Sequence, residues 1–259
     1  GFTATVLVGY SGLGAVLAKP LVLLVGVVVG GLAGALIGFL KYRFNINEVV
    51  SSIMLNYIFQ YVISFFINTY FVDPVSRQSR EVSDASRLTL VDTPVGNLKM
   101  DIPLGVLIAL VAVFLVWFLL EKTKLGYELK AVGCSRSAAK YAGIQVGKSM
   151  TLSMTISGAL AGLAGVTYYL GYVGSIQPKV LISTGFDAIA VSLLGNNHPV
   201  GIIFSTMLIT LIGKGSTYMK SASGVDTEIA SVITGIILLF SACSAYIKWR
   251  MARRKEGKK

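Results

Sequence analysis

Charge is scarce in this sequence. Of its 259 residues only 14% are Asp, Glu, Lys or Arg, while 54% are hydrophobic. Soluble globular domains carry about a quarter of their residues charged, so a water-exposed globule is excluded. Histidine occurs once, as His198, and cysteine twice, as Cys134 and Cys243. That leaves no ligand set for a metal and no neighbouring pair that suggests a disulfide. Both cysteines read as plain small residues. There is no Gly-rich loop ending in Gly-Lys-Ser/Thr and no His-Glu-x-x-His. Paired carboxylates and nucleophile–base pairs at useful spacing are also missing. No catalytic or metal-binding residue is assigned, and no cofactor is expected on this chain.

What the chain has is oil. Uncharged runs cover 1–18, 20–40, 49–72, 102–120, 149–178 and 229–247, and a further run at 188–213 is broken only by His198 and Pro199. About 20 such residues span a bilayer as a helix. The expected fold is an all-α polytopic membrane protein, one transmembrane domain over 1–259. A β-barrel would need short alternating segments, which do not occur. The first residue is Gly, inside an apolar run, without Met, basic leader or cleavage site. The expectation is that the natural protein begins earlier and that N-terminal spans are missing here.

The 23 Lys and Arg against 12 Asp and Glu give +11, and their placement orients the chain. The loop 121–148 has six basic against two acidic residues, the tail 248–259 seven against one, and the connector 41–48 holds Lys41 and Arg43. The segment 73–101 has four basic and five acidic residues. Positive loops stay cytoplasmic, so 121–148, the tail and the connector belong inside and 73–101 outside. Beside a membrane span, the basic tail is an orientation signal and calls for no nucleic acid. Parity then requires two crossings between 173 and 225. The segments 186–197 and 199–218 supply them, separated by the breakers Gly195-Asn196-Asn197-His198-Pro199. Eight segments result, of which 186–197 is too short for an ordinary span. Asp187 suits the N-terminus of that short helix, or a place in a path or gate. His198 is a loop residue or a titrating one.

Two patterns recur every fourth residue. Ser52, Asn56, Gln60, Ser64 and Asn68 run through an otherwise apolar segment. In hydrocarbon, polar side chains must face a protein neighbour or a watery cavity, so the row is either interhelical glue or the wall of a hydrophilic path. Asn56, Tyr57 and Gln60 would then meet the solute. Gly26, Gly30, Gly34 and Gly38 form the second pattern, and Gly158 and Gly162 repeat it; small residues at this spacing let helices approach closely. There is also a possible internal repeat. NEVVSSI at 47–53 parallels TEIASVI at 227–233, each after a Pro-initiated helix (Pro20, Pro199) and a connector with Lys41 or Lys220. The topology places Glu48 inside and Glu228 outside, so the two units would be inverted, as in many transporters.

The loop 121–148 contains Ser135, Arg136, Ser137, Ala138, Ala139, Lys140, Tyr141 and Ala142: a capping residue, good helix formers, then the helix stop Gly143. Such a short basic helix suits docking of a protein, or it is a solvated linker. The loop pattern TKLGYELKAVGCSRSAAKYAGI resembles the permease subunits of ABC importers in the ribose and nucleoside uptake group. NEVVSSIMLNYI at 47–58 resembles the nucleoside branch, and GFDAIAVSLLG at 185–195 is similar to a segment of the same permeases.

That resemblance implies a ten-span, inverted-repeat subunit whose coupling helix, 135–142 here, fits a groove on an ATPase. It further implies a partner ATPase carrying ATP and Mg, a second related permease subunit, and an extracellular lipid-anchored nucleoside-binding protein. The location implied is the bacterial plasma membrane, with the C-terminus in the cytoplasm. A sugar permease of the same fold is the nearest alternative. An ion-driven carrier or channel would usually place titratable residues inside its spans, and these spans have almost none.

Overall fold

The computed structural model describes residues 1–9, 15–71, 78–79, 94–95, 98–99, 104–173, 175–178, 184–224, 226, 228–229, 231–237 and 239–240. Helices dominate them: α1 (Phe2–Ala4), α2 (Ala15–Phe44), α3 (Glu48–Phe66), α4 (Leu104–Lys122), α5 (Lys124–Cys134), α6 (Arg136–Tyr141), α7 (Val146–Tyr168), α8 (Thr184–Leu194) and α9 (Pro199–Ser223). A two-residue antiparallel pair, β1 (Pro94–Val95) and β2 (Leu98–Lys99), joins Pro94 to Lys99 and Val95 to Leu98. The sequence reading had no strand there. The chain divides into two units, Gly1–Leu181 and Ile182–Lys259.

Among the described residues, five helical stretches are long and apolar enough to cross a membrane: Ala18–Phe44, Glu48–Phe71, Leu104–Lys122, Val146–Val173 and Pro199–Ser223. Their apolar side chains point outward, as in Leu32, Phe65, Phe114 and Phe204, and α4 buries none of its residues. An apolar exterior over hydrogen-bonded helices is the arrangement hydrocarbon demands, since each helix satisfies its own backbone. Of the eight segments expected, α8 is too short to span, as its length foretold. The segments 1–18 and 229–247 extend beyond the described residues, as do most of 73–101 and all of the tail 248–259.

One boundary is corrected. Lys19-Pro20 was expected to separate two segments and Pro20 to start a helix, but α2 runs through both. Proline lacks an N–H and would otherwise bond four residues back. Here that partner is only the second residue of α2, so a single terminal bond is lost. At its other end α2 outruns the expected 40 and reaches Phe44. The basic residue there, Lys41, is held by an ion pair with Glu48 at the start of α3. Asn45, in the left-handed region at φ 54°, turns the chain, and the Asn47 side chain caps α3 by accepting from the Val49 N–H at 2.9 Å.

Within the first unit, α2 and α7 form an antiparallel pair whose seam is made of glycine. A Cβ at Gly30 would land on the Gly158 carbonyl and lie 2.8 Å from the Gly162 Cα. Reciprocally, a Cβ at Gly158 would meet the Gly30 carbonyl. The seam continues from Gly26 against Gly162 and Val166, through Gly34 against Met154 and Gly158, to Gly38 against Thr151. Beyond Gly26 the seam gives way to an apolar cluster of Ala4, Ala18, Val22, Val166 and Leu170.

Around this cluster the helix ends loosen into π-helical turns at Thr5–Gly9, Ile67–Phe71 and Tyr169–Val173. The Phe2 ring lies 6.5 Å from those of Phe66 and Phe71. Residues 97 apart are tied together nearby: Ser79 donates its N–H to the Ile176 carbonyl at 3.0 Å and accepts the Ile176 N–H on its hydroxyl at 2.9 Å.

In the second unit α8 packs on α9. Gly195 and Gly201 meet backbone to backbone, with a Cβ at Gly195 2.8 Å from the Ile202 nitrogen. Pro199 occupies the first turn of α9 and His198 its N-cap position, without a side-chain capping bond. Asp187 falls in the first turn of α8.

Candidate functional site

The polar row of α3 does not stay together. Ser52 and Asn56 line a groove of about 450 Å³ with Glu48, Phe59, Gly30, Gly34, Gly158 and Gly162. Tyr57, Gln60, Ser64 and Asn68 lie outside that lining. Ser52 donates its hydroxyl to the Val49 carbonyl at 3.0 Å, which is how a helix satisfies a hydroxyl it cannot bury. Asn56 and Tyr57 are exposed, Gln60 is half-buried, and Ser64 is buried at 4% exposure. Asn68 lies in the π-helical turn Ile67–Phe71 and is exposed. A four-residue stride turns 400° on an α-helix, so each step rotates the row about 40° away from its neighbour. The groove therefore takes two members and loses the rest.

Gly26 and Gly38 sit in the seam but outside the groove lining, whereas Gly30, Gly34, Gly158 and Gly162 also line the groove. The opposite wall brings in a residue the sequence reading passed over. Ser157 lines the groove from α7 and belongs to SMTLSMTIS at 149–157, where Ser149, Ser153 and Ser157 also recur every fourth position. That stride was the available signal. The groove's charged residue is Glu48, paired with Lys41, so the site sets a few hydrogen-bonding groups, Ser52, Asn56 and Ser157, in a mostly apolar lining without a net charge.

A second candidate region is the α5–α6–α7 corner. Thr123 joins α4 to α5: its hydroxyl donates to the Leu119 carbonyl at 2.6 Å and accepts from the Gly126 N–H at 3.2 Å. Ser135 then ends α5 and caps α6, its hydroxyl accepting from the Ala138 N–H at 3.3 Å. Gly143, at φ 79°, closes α6, and the Ile144 N–H returns to the Ala139 carbonyl at 3.0 Å. This closure holds the stop that the Gly143 position signalled.

Ala139 is the buried residue of α6, while Arg136, Ser137, Ala138, Lys140, Tyr141 and Ala142 are exposed, Tyr141 to 95%. Beside α6 lies an open groove of about 870 Å³ edged by Lys124, Glu128, Ser135, Gln145 and Lys148. Two cations on a pinned six-residue helix, with an exposed tyrosine, make a surface that can receive another protein. Cys134 is exposed at this corner; Cys243 lies outside the described residues. Among the described residues no group of three or more His, Cys, Asp or Glu could hold a metal.

Comparison with known proteins gives this architecture a family. The profile of the branched-chain amino acid transport system / permease component family matches residues 1–242. The guanosine ABC transporter permease protein NupP of Bacillus subtilis is 36% identical over 259 residues, covering 99% of this chain and 74% of that protein. The nucleoside ABC transporter permease protein NupB of Lactococcus lactis is 35% identical over 244 residues, 91% of this chain and 66% of its own length. A glucose ABC transporter permease of Haloferax volcanii is 27% identical over 241 residues, 90% of this chain and 63% of its own length. The chain thus spans between about two thirds and three quarters of these relatives' length. No solved structure matches it. The five apolar spans and the match over 1–242 lead to one conclusion: the chain belongs to the branched-chain amino acid transport system / permease component family, and is a multi-pass membrane transport subunit of the ABC class, not an enzyme.

Proposed function

We propose that this chain is the permease subunit of an importer that brings nucleosides into a bacterial cell by alternating access. The observation that carries the reading is the 35–36% identity, over nearly the whole chain, to permeases named for guanosine and nucleoside. The glucose permease stands at 27%. The groove, mostly apolar with Ser52 and Asn56 as hydrogen-bonding groups and no net charge, supports it, because a nucleoside is an uncharged solute with a flat ring and hydrogen-bonding groups. On this reading the subunit follows a plan of ten spans in two inverted halves.

In favour of the inverted halves, both connectors have one plan. Lys41 precedes the left-handed Asn45 by four residues, and Lys220 precedes the left-handed Gly224 by four. A glutamate follows each turn, at Glu48, where α3 begins, and at Glu228, which is helical.

The helix Arg136–Tyr141, with its caps Ser135 and Ala142, docks on a separate ATPase that binds ATP and Mg. A second, related permease subunit completes the membrane pair, and an extracellular lipid-anchored receptor delivers the nucleoside. The loop 121–148 and the basic tail face the cytoplasm and 73–101 faces outside, in keeping with their charge.

One experiment tests cargo and coupling together. Cells expressing the complete importer take up labelled guanosine and uridine, with unlabelled nucleosides or ribose as competitors. Competition by nucleosides alone is expected; competition by ribose alone would overturn the cargo. In the same assay, Arg136→Glu with Lys140→Glu is expected to abolish uptake while ATP hydrolysis persists and the complex still assembles. Normal uptake by that variant would remove the docking role from α6.

A further inference from the structure

The groove between α3 and α7 raises a question that the polar row alone does not answer: which side chains would touch a solute. Asn56 approaches from α3 and Ser157 from α7, both lining one groove. Both are exposed. At about 450 Å³ the groove falls within the roughly 300–1,000 Å³ usual for small-molecule sites.

Three features select the kind of molecule. The Glu48 carboxylate is the groove's charged group and is paired with Lys41, so the lining offers neither a free cation to an anionic solute nor a free anion to a cationic one. Apart from Glu48, Ser52, Asn56 and Ser157 the lining is apolar, with Ala33, Ile37, Val49, Leu55, Met154 and Ala161 beside the glycines, a surface that suits the face of a flat ring. Phe59 adds an aromatic side chain to the lining, against which a ring can stack.

We propose that Asn56 and Ser157 together form a membrane subsite for an uncharged nucleoside, Asn56 meeting the base edge and Ser157 a hydroxyl. Phe59 and the apolar lining take the ring face. This rests on the nucleoside reading above. It disfavours nucleoside monophosphates, because the lining holds no lysine or arginine for a phosphate. It also separates Asn56 from Tyr57, the neighbour on α3 that does not line the groove.

The test uses the complete importer in membrane vesicles, with Cys134→Ser and Cys243→Ser removing the native thiols. Asn56→Cys, Ser157→Cys and Tyr57→Cys are introduced singly and reacted with a small hydrophilic thiol reagent. Guanosine is expected to slow labelling severalfold at positions 56 and 157 and to leave position 57 unchanged, while guanosine monophosphate protects none.

If the parent importer takes up guanosine but guanosine protects neither position, the subsite is refuted and the nucleoside reading stands. If neither position is ever labelled, another helix covers the groove and the subsite is equally refuted. If the parent takes up ribose and no nucleoside, the cargo reading itself falls and the nucleoside subsite falls with it.

Discussion

Two rows with the same stride behave differently in this molecule. Gly26, Gly30, Gly34 and Gly38 stay against one partner from end to end, meeting α7 at Val166, Gly158, Met154 and Thr151 in turn. Ser52, Asn56, Gln60, Ser64 and Asn68 begin in a groove and then disperse to half-buried, buried and exposed positions. Both rows rotate about 40° per step. The glycines can follow their drift because α7 offers Gly158, Gly162 and the main chain at Met154 and Thr151, so the two backbones track each other. The polar row meets no such partner, so burial changes from member to member. Spacing reveals that a face exists; only the neighbouring helix decides how much of it is used.

The strongest way to break this contrast is Gly30→Leu. Its side chain would have to occupy the space of the Gly158 carbonyl, and overpacking costs about 1–3 kcal/mol, at times more. At a backbone-to-backbone contact the upper end applies, about 3 kcal/mol or above. The yield of monodisperse protein in detergent should collapse; a variant that purifies and melts like the parent would show that the seam tolerates separation.

The next effect comes from dividing the polar row. Ser64→Leu, at a buried site, should destabilise by about 1–3 kcal/mol. Asn56→Leu, at an exposed site, should change stability by no more than about 0.5 kcal/mol while nucleoside uptake falls about tenfold, the loss of roughly one charge-free hydrogen-bond contact. Paired thermal melts and uptake assays separate the two. Equal melting losses would make the whole row packing, and unchanged uptake by Asn56→Leu would take that residue off the path.

The smallest effect is expected at a glycine outside the seam. Gly213 lies in α9 with open space where a Cβ would go, so Gly213→Ala should leave stability unchanged or raise it by up to about 1 kcal/mol through helix propensity. A loss there would show that glycine on α9 has a partner of its own.

Local chemistry was the legible part. The caps of α6, Ser135 before and Gly143 after, could be read because each acts on its own turn. Spans α3, α4, α7 and α9 were visible as uncharged runs, and Pro199 marked the start of α9 correctly. Pro20 misled because proline breaks a helix only where it removes an interior bond; in the second turn of α2 that bond is almost terminal. The π-helical turns were invisible, since they arise where helix ends converge around Phe2, Phe66 and Phe71. The Ser79–Ile176 tie and the entry of Ser157 into the groove depend on residues far apart in sequence, and no single segment encodes them. The serine series ending at Ser157 was present to be counted, but only α7 standing opposite α3 gives it a meaning.

The glycine seam also has a mechanical consequence. Its rungs stand four residues apart, about 6 Å along the axis, and between rungs the backbones interlock carbonyl to Cα. Sliding α2 along α7 by less than a full rung would drive one main chain into the other. The pair thus behaves as a splined shaft, able to tilt or turn as one piece but barred from creeping lengthwise. By contrast α3 and α4 pack far less closely on this pair than its two helices pack on each other.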